Sequence, residues 1–259
     1  MAIVVASFNT KRLIAQLVFS LYRVLGRDQF SELVVVDNGS TDGSAELLRA
    51  LQRAGLIHLI RNRTQRYHGP ALTQGVSWLA RARAGVGYVW VLDSDVVVLR
   101  SDTVLDALAA AQRLDAAALG QKLDDGSYNR LLRHNREMLD PCSIIFDPRR
   151  IWRSPIPPFV EDGAPATALQ VAADANGLRL VEFPFVEREY LLHLGRGTLR
   201  EIARSGDTAN RYYEWALDHN QPHFGGHDRG PELYRAFCDR FEAEVGELTP
   251  ENLVNAILR

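Results

Sequence analysis

An α/β fold built on a mostly parallel sheet is what this 259-residue sequence predicts, and three observations carry the expectation. Short apolar runs rich in valine, isoleucine and leucine alternate with longer segments of helical periodicity. The runs stop in Asp, Asn, Ser and Gly, the residues that turn a chain back on itself. The rhythm of strand, helix, strand, helix calls for crossover connections, and these join parallel neighbours.

Residues 2–7 (AIVVAS) read as a buried first strand, followed by a helix over about 11–25 with Leu13, Leu17, Leu21 and Val24 on one stripe. A second strand over 32–37 (ELVVVD) closes in Asn38-Gly39-Ser40, and Ser40 or Thr41 caps a helix over about 42–54. A third strand is expected at 56–60, then a helix opened by Gly69-Pro70 and running to about 83, because proline suits a first helical position. The fourth strand, 87–92, runs into Asp93-Ser94-Asp95. Beyond it the pattern loosens: a helix over about 102–113, a strand at 116–122, a polar stretch at 124–138 and a strand at 143–147. A proline-rich turn at 154–158, a helix near 165–176 and a strand near 178–185 follow. From about 198 only helices are expected, at 208–219, 231–245 and 250–258. The division is therefore a sheet domain over 1–197 and a helical C-terminal extension over 198–259 packed on it.

Composition narrows the function classes. With 46% hydrophobic and 24% charged residues the chain is ordinary for a globular protein. A net charge of -2 argues against a dedicated nucleic-acid surface. Cys142 and Cys238 are far apart and form no metal-type pair, so no disulfide framework is expected and the reading is cytoplasmic. The apolar start at Met1 lacks a basic leader and is cut short by Ser7, Asn9 and Lys11, which fits a strand better than a targeting segment. No apolar run reaches the roughly 20 residues of a membrane helix.

Chemistry is concentrated where strands run out. Asp93 and Asp95 follow an apolar run, and in extended chain residues two apart point the same way, so the two carboxylates can converge. Ligands of open α/β sheets bind beyond the carboxyl ends of strands, and paired oxygens there suit Mn²⁺ or Mg²⁺. The bland alternative is a turn with capping aspartates. Asp37 ends the second strand at the same rim and can accept hydrogen bonds from a ribose or a base N–H. Asp37 and Asn38 could equally just build a turn.

The end of the first strand (Ala6, Ser7, Phe8, Asn9, Thr10), the Asp-Asn-Gly-Ser-x-Asp turn from Asp37 to Asp42, and Asp93-Ser94-Asp95 come in an order that resembles family 2 nucleotide-sugar glycosyltransferases of the GT-A fold. The resemblance covers roughly residues 2–195. It implies that Ala6, Ser7, Phe8, Asn9, Asp37 and Asn38 hold the nucleotide of a UDP-, TDP- or GDP-sugar. It also implies that Asp93 and Ser94 lie near ribose or metal and that Asp95 ligates the metal. His68 to Gly75 looks like the family's Gly-x-Ala-x-Asn-x-Gly segment, with Thr73 where asparagine is usual. Gly69 at that helix start could favour phosphate, or the small residues could serve close helix–strand packing.

In this family an acidic residue ahead of a late helix removes the acceptor hydroxyl proton, with inversion at the anomeric carbon. Asp162 is the expected base and Glu161 the second choice; an N-cap with acidic first-turn residues is the alternative. Ala172 falls near a position where the family carries arginine. Members of the fold also return a late histidine to the metal. His193, in Leu-His-Leu-Gly, matches that position, with Arg196 placed to reach the diphosphate. A strand-end histidine bonded to backbone is the alternative. His223 and His227 flank Gly225-Gly226, which favours a surface loop over a metal site. Arg61, Arg63 and Arg66 read as solvated arginines beside a loop or as phosphate attractors. The acceptor is some hydroxyl compound, and the helices over 231–258 are a candidate surface for homodimer pairing.

Rival readings fail on sequence grounds to different degrees. A sugar-phosphate nucleotidyltransferase needs a glycine-rich basic loop after the first strand, and residues 7–12 contain no glycine. A nicotinamide-dependent oxidoreductase needs Gly-x-Gly-x-x-Gly there. A non-catalytic nucleotide-sugar-binding module stays open.

Overall fold

The computed structural model describes residues 1–82, 85–122, 138–152, 159, 166–206, 217–218, 221–222 and 224–259. Its centre is a seven-stranded sheet in the order β3-β2-β1-β4-β7-β6-β8, accompanied by a separate two-stranded sheet β5-β9. The strands are β1 Ala2–Ser7, β2 Glu32–Asp37, β3 His58–Arg61, β4 Val89–Asp93, β5 Val96–Val98, β6 Ala118–Lys122, β7 Leu139–Phe146, β8 Leu180–Glu182 and β9 Leu191–His193. The helices are α1 Lys11–Ser20, continued by a π-helical turn Leu21–Leu25, α2 Ser44–Arg53, α3 His68–Ala82, α4 Thr103–Arg113 and the single turn α5 Pro148–Ile151. They continue with α6 Thr167–Ala175, α7 Gly197–Ser205, α8 Gly230–Val245 and α9 Pro250–Leu258.

β3, β2, β1 and β4 pair in parallel, as the alternation with helices requires, whereas β7 runs antiparallel to both β4 and β6. Strand residues alternate between two apolar layers. Ile3, Val5, Leu33, Val35, Trp90 and Leu92 face α1, α2 and α4, while Ala2, Val4, Val34, Val36, Val89 and Val91 face α3 and α6. Gly75 is what lets α3 lie so close: a Cβ there would stand 2.6 Å from a Val4 methyl and 3.1 Å from one of Val36. The small-residue segment thus serves close packing at Gly75.

α8 and α9 join the first of these layers. Phe237 and Phe241 pack edge-on against Phe19 of α1, at ring-centre distances of 6.2 and 5.2 Å. Arg23 and Glu244 pair at 3.0 Å across the same contact, and Leu253, Ala256 and Ile257 of α9 complete the layer. The apolar faces of the late helices are therefore used inside the chain. Among the described residues no helix is long and apolar enough to cross a membrane.

Several boundaries differ from the sequence expectation. The first helix leaves α geometry after Ser20, whose hydroxyl bonds back to Leu17 C=O and also accepts the Val98 N–H at 3.1 Å. β5, β9 and α5 are elements that periodicity alone does not reveal, because three- or four-residue pieces show no period; the nine-residue α7 is a further helix that the sequence expectation lacked. β7 begins at Leu139 instead of 143. Its start contains Asp140 and Pro141, which argue against a strand. The ladder accommodates them in a bulge: Gly120 pairs with Ile144 but Lys122 pairs with Leu139, two steps along β6 against five along β7. The polar stretch 124–137 and most of the helix expected at 208–219 lie outside the described residues.

Candidate functional site

Register brings the chemistry-bearing strand ends to one rim. Ser7 pairs with Asp37 and Ala6 with Asp93, so β1, β2 and β4 stop level with one another. The connecting loops are stitched together by side chains. Asn9, with a left-handed φ of 51°, donates its N–H to Ser40 Oγ at 3.0 Å and accepts the Thr41 N–H on Oδ1 at 2.8 Å. Ser7 and Thr10 hydroxyls meet at 3.0 Å, and Thr10 continues to Ser94 at 3.3 Å. Ala6 is buried and Phe8 half-buried beside them.

Asp37 is fully buried. Its Oδ1 accepts the Ser40 N–H at 3.0 Å and its Oδ2 accepts from Arg61 Nε at 3.2 Å. Arg61 is thus a partner of Asp37 and not merely a solvated arginine. Asn38 organises the next loop: its carbonyl oxygen accepts from Asn62 Nδ2 and the Arg66 N–H, and its amide donates to Tyr67 C=O. Gly69 is buried in the first turn of α3.

The acidic centre is assembled by the small sheet. Residues 94 and 95 form a turn, so extended-chain alternation is not what joins Asp93 to Asp95; that part of the expectation is corrected. The turn feeds β5, and β5 pairs antiparallel with β9, placing Val96 opposite His193. His193 Nε2 then lies 3.5 Å from Asp95 Oδ1 and 3.7 Å from Asp93 Oδ2. A ligand atom from each of the three lies within 4.8 Å of the other two. Asp95 Oδ2 accepts the Gly197 N–H at 2.8 Å, at the N-terminus of α7. Glycine is demanded there, since a Cβ would stand 2.7 Å from Asp95 Cβ and 2.7 Å from a Leu13 methyl. Buried Arg200, one turn on, holds the Leu194 and Gly195 carbonyls.

These surroundings drive the two carboxyls apart. Burial pushes Asp93 up to about 6, opposed by the charge of His68 and reinforced by that of Asp95. Burial would raise Asp95 too, but His193, Arg200 and the Gly197 N–H together hold it below the usual carboxylate range. His193 is raised well above its ordinary value: burial opposes its charge, while Cys142 and Asp95 support it. Asp93 Oδ1 is buried without a hydrogen-bond donor, although His68 Nε2 stands 3.2 Å away. Two carboxylates, one imidazole and an oxygen lacking a donor fit a hard divalent cation.

Sequence reasoning missed His68, Gly197, Arg200, Asp140 and Cys142, all brought to this rim by packing. Thr73, where the resemblance expects asparagine, has a use of its own: its hydroxyl donates to Phe159 C=O at 2.8 Å. That ties α3 to the chain just ahead of Glu161 and Asp162, which themselves lie outside the described residues, as does His223. Arg196 takes a left-handed φ of 57° immediately before α7. His227 stands 3.8 Å from Glu189.

Comparison with known proteins agrees with this architecture. The sequence profile described as glycosyl transferase family 2 matches residues 2–182. No curated protein matches the chain in sequence. Among solved structures, the mannosyltransferase PcManGT from Pyrobaculum calidifontis, in complex with GDP-Man and Mn²⁺, superposes with a TM-score of 0.55 at 18% identity, over 98% of this chain and 77% of that one. S. aureus TarS 1–349 in complex with UDP-GlcNAc gives a TM-score of 0.57 at 18% identity, over 98% and 78%. A further structure of S. aureus TarS gives 0.56 at 17%, over 98% of this chain and 47% of that one. With its parallel core, its β1–β2–β4 rim and a family match across most of its length, the chain belongs to glycosyl transferase family 2 and has the GT-A fold.

Proposed function

We propose that this protein carries out metal-dependent, inverting transfer of a sugar from a nucleoside diphosphate donor to a hydroxyl acceptor. The observation that carries the reading is the convergence of Asp93, Asp95 and His193 at the rim where three strands end. Support also comes from the neighbours' own ligands, a nucleoside diphosphate sugar with Mn²⁺ in one and a nucleoside diphosphate sugar in another.

In this reading Ala6, Ser7, Phe8, Asn9, Asp37, Asn38, Gly69 and Ser94 line the nucleotide. Asp37 fixes the base or ribose with Arg61 held alongside it. Asp93, Asp95 and His193 hold the cation, Mn²⁺ or Mg²⁺, which when bound supplies positive charge against the departing diphosphate. Arg196 meets the same phosphates from the turn before α7. Asp162, or failing it Glu161, removes the acceptor hydroxyl proton from the face opposite the leaving group. Attack from that face inverts the anomeric carbon. Residues 1–197 form the catalytic domain with 198–259 as its extension, and the reaction is placed in the cytoplasm.

The test is a donor screen. UDP-, TDP- and GDP-sugars are incubated with the protein with and without Mn²⁺, and released nucleotide is read by mass spectrometry. Metal-dependent release that Asp95→Ala abolishes supports the reading. Metal-dependent thermal stabilisation by a nucleotide, with no turnover of any donor in the presence of candidate acceptors, replaces it with a binding module.

A further inference from the structure

The rim holds a second donor set that the proposed chemistry does not use. β7 carries Asp140 and Cys142, next to its bulge against β6. One ligand atom from each of Asp140, Cys142 and His193 lies within 4.8 Å of the other two. Cys142 is only 1% exposed and is not in a disulfide. Three different kinds of donor, from two strands of separate sheets, therefore meet beside the aspartate pair.

Exchanging the two aspartates for one aspartate and a thiol changes the class of ion preferred. Carboxylates with one imidazole suit Mn²⁺ and Mg²⁺, whereas thiolate with imidazole suits Zn²⁺ and Co²⁺. We propose that Asp140, Cys142 and His193 form a second cation site, selective for a thiophilic divalent ion of the Zn²⁺ class, and that it shares His193 with the Asp93–Asp95 site. On binding, the Cys142 S–H bond breaks, its proton passes to solvent and a metal–thiolate bond forms. Three protein ligands leave one tetrahedral position for water. Because His193 belongs to both donor sets, ions at the two sites compete for one imidazole. Zn²⁺ is then an antagonist of the Mn²⁺ form. That consequence rests on the metal reading above; the thiol site does not.

Co²⁺ serves as the spectroscopic probe on the full chain. Wild type is expected to show a thiolate-to-cobalt charge-transfer band that Zn²⁺ displaces and that Cys142→Ser lacks. Zn²⁺ affinity falls at least about tenfold in Cys142→Ser. Asp140→Asn keeps the thiol and so keeps the band, with weaker Co²⁺ binding. Cooperative melting of both variants confirms that they fold. Absence of the band in wild type, or unchanged Zn²⁺ affinity in Cys142→Ser, overturns the site. Failure of Zn²⁺ to release bound Mn²⁺, followed by electron paramagnetic resonance, overturns the sharing of His193. A chain that shows the band but binds no Mn²⁺ removes the metal reading of the preceding section and leaves the thiol site standing.

Discussion

Val96 of β5 stands opposite His193 of β9 in an antiparallel pair, and this single register carries the imidazole Nε2 to 3.5 Å from Asp95 Oδ1. The pair is only three residues long on each side, yet it joins the end of β4 to a segment far along the chain. Its placement also sets up Gly197, whose N–H reaches the other oxygen of Asp95.

Asp95→Ala removes the carboxylate that His193 and Gly197 hold in place. Mn²⁺ should no longer raise the melting temperature in the presence of nucleotide, and nucleotide release should fall by at least about 100-fold. Wild-type turnover in this variant would remove Asp95 from the metal role.

Gly197→Ala tests the α7 N-terminus. A methyl there has no room between Asp95 and Leu13, so the helix start must shift and release the Asp95 Oδ2 contact. Overpacking of this kind costs about 1–3 kcal/mol. Mn²⁺ affinity, read by calorimetry, should drop together with the melting temperature. An unchanged Mn²⁺ affinity would show that the helix start does not position the carboxylate.

Metal affinity should depend on pH in one direction. Burial raises Asp93 to about 6, and His193 is also raised, so in the metal-free protein protons compete for two of the three ligands. Mn²⁺ binding should therefore weaken as pH falls from 8 through about 6. The charge of His68 lowers Asp93, so His68→Gln should move this binding edge to higher pH. An affinity flat from pH 8 to pH 5.5 would contradict the argument.

Asp162→Asn should leave donor binding intact in a thermal-shift assay while lowering transfer by about 10²–10⁴-fold. Should Asp162→Asn stay active and Glu161→Gln lose transfer, the base is Glu161.

Gly75→Ala addresses the scaffold. The added methyl meets Val4 and Val36 on the sheet, forcing α3 outward. A loss of about 1–3 kcal/mol is expected in chemical denaturation. Neutral behaviour would mean that the helix can move without cost.

What the sequence determined by itself is the set of strands β1 to β4, their parallel arrangement and the rim at which Ser7, Asp37 and Asp93 end. Those features are local: apolar runs, helical stripes and polar stops are written within a few residues of one another. The resemblance then pointed to His193 as the late histidine, although it could not supply the β5–β9 pairing that delivers it. The Asp140–Cys142 edge stayed hidden because Pro141 disguises the start of β7, and only a bulge reconciles proline with the ladder. His68, Gly197 and Arg200 were illegible for a simpler reason. Gly197 and Asp95 are 102 residues apart, and nothing in either local sequence encodes the packing of α7 against α1 and the end of β4. Tertiary structure decided which donors share one rim, because that depends on steric fit between elements distant along the chain.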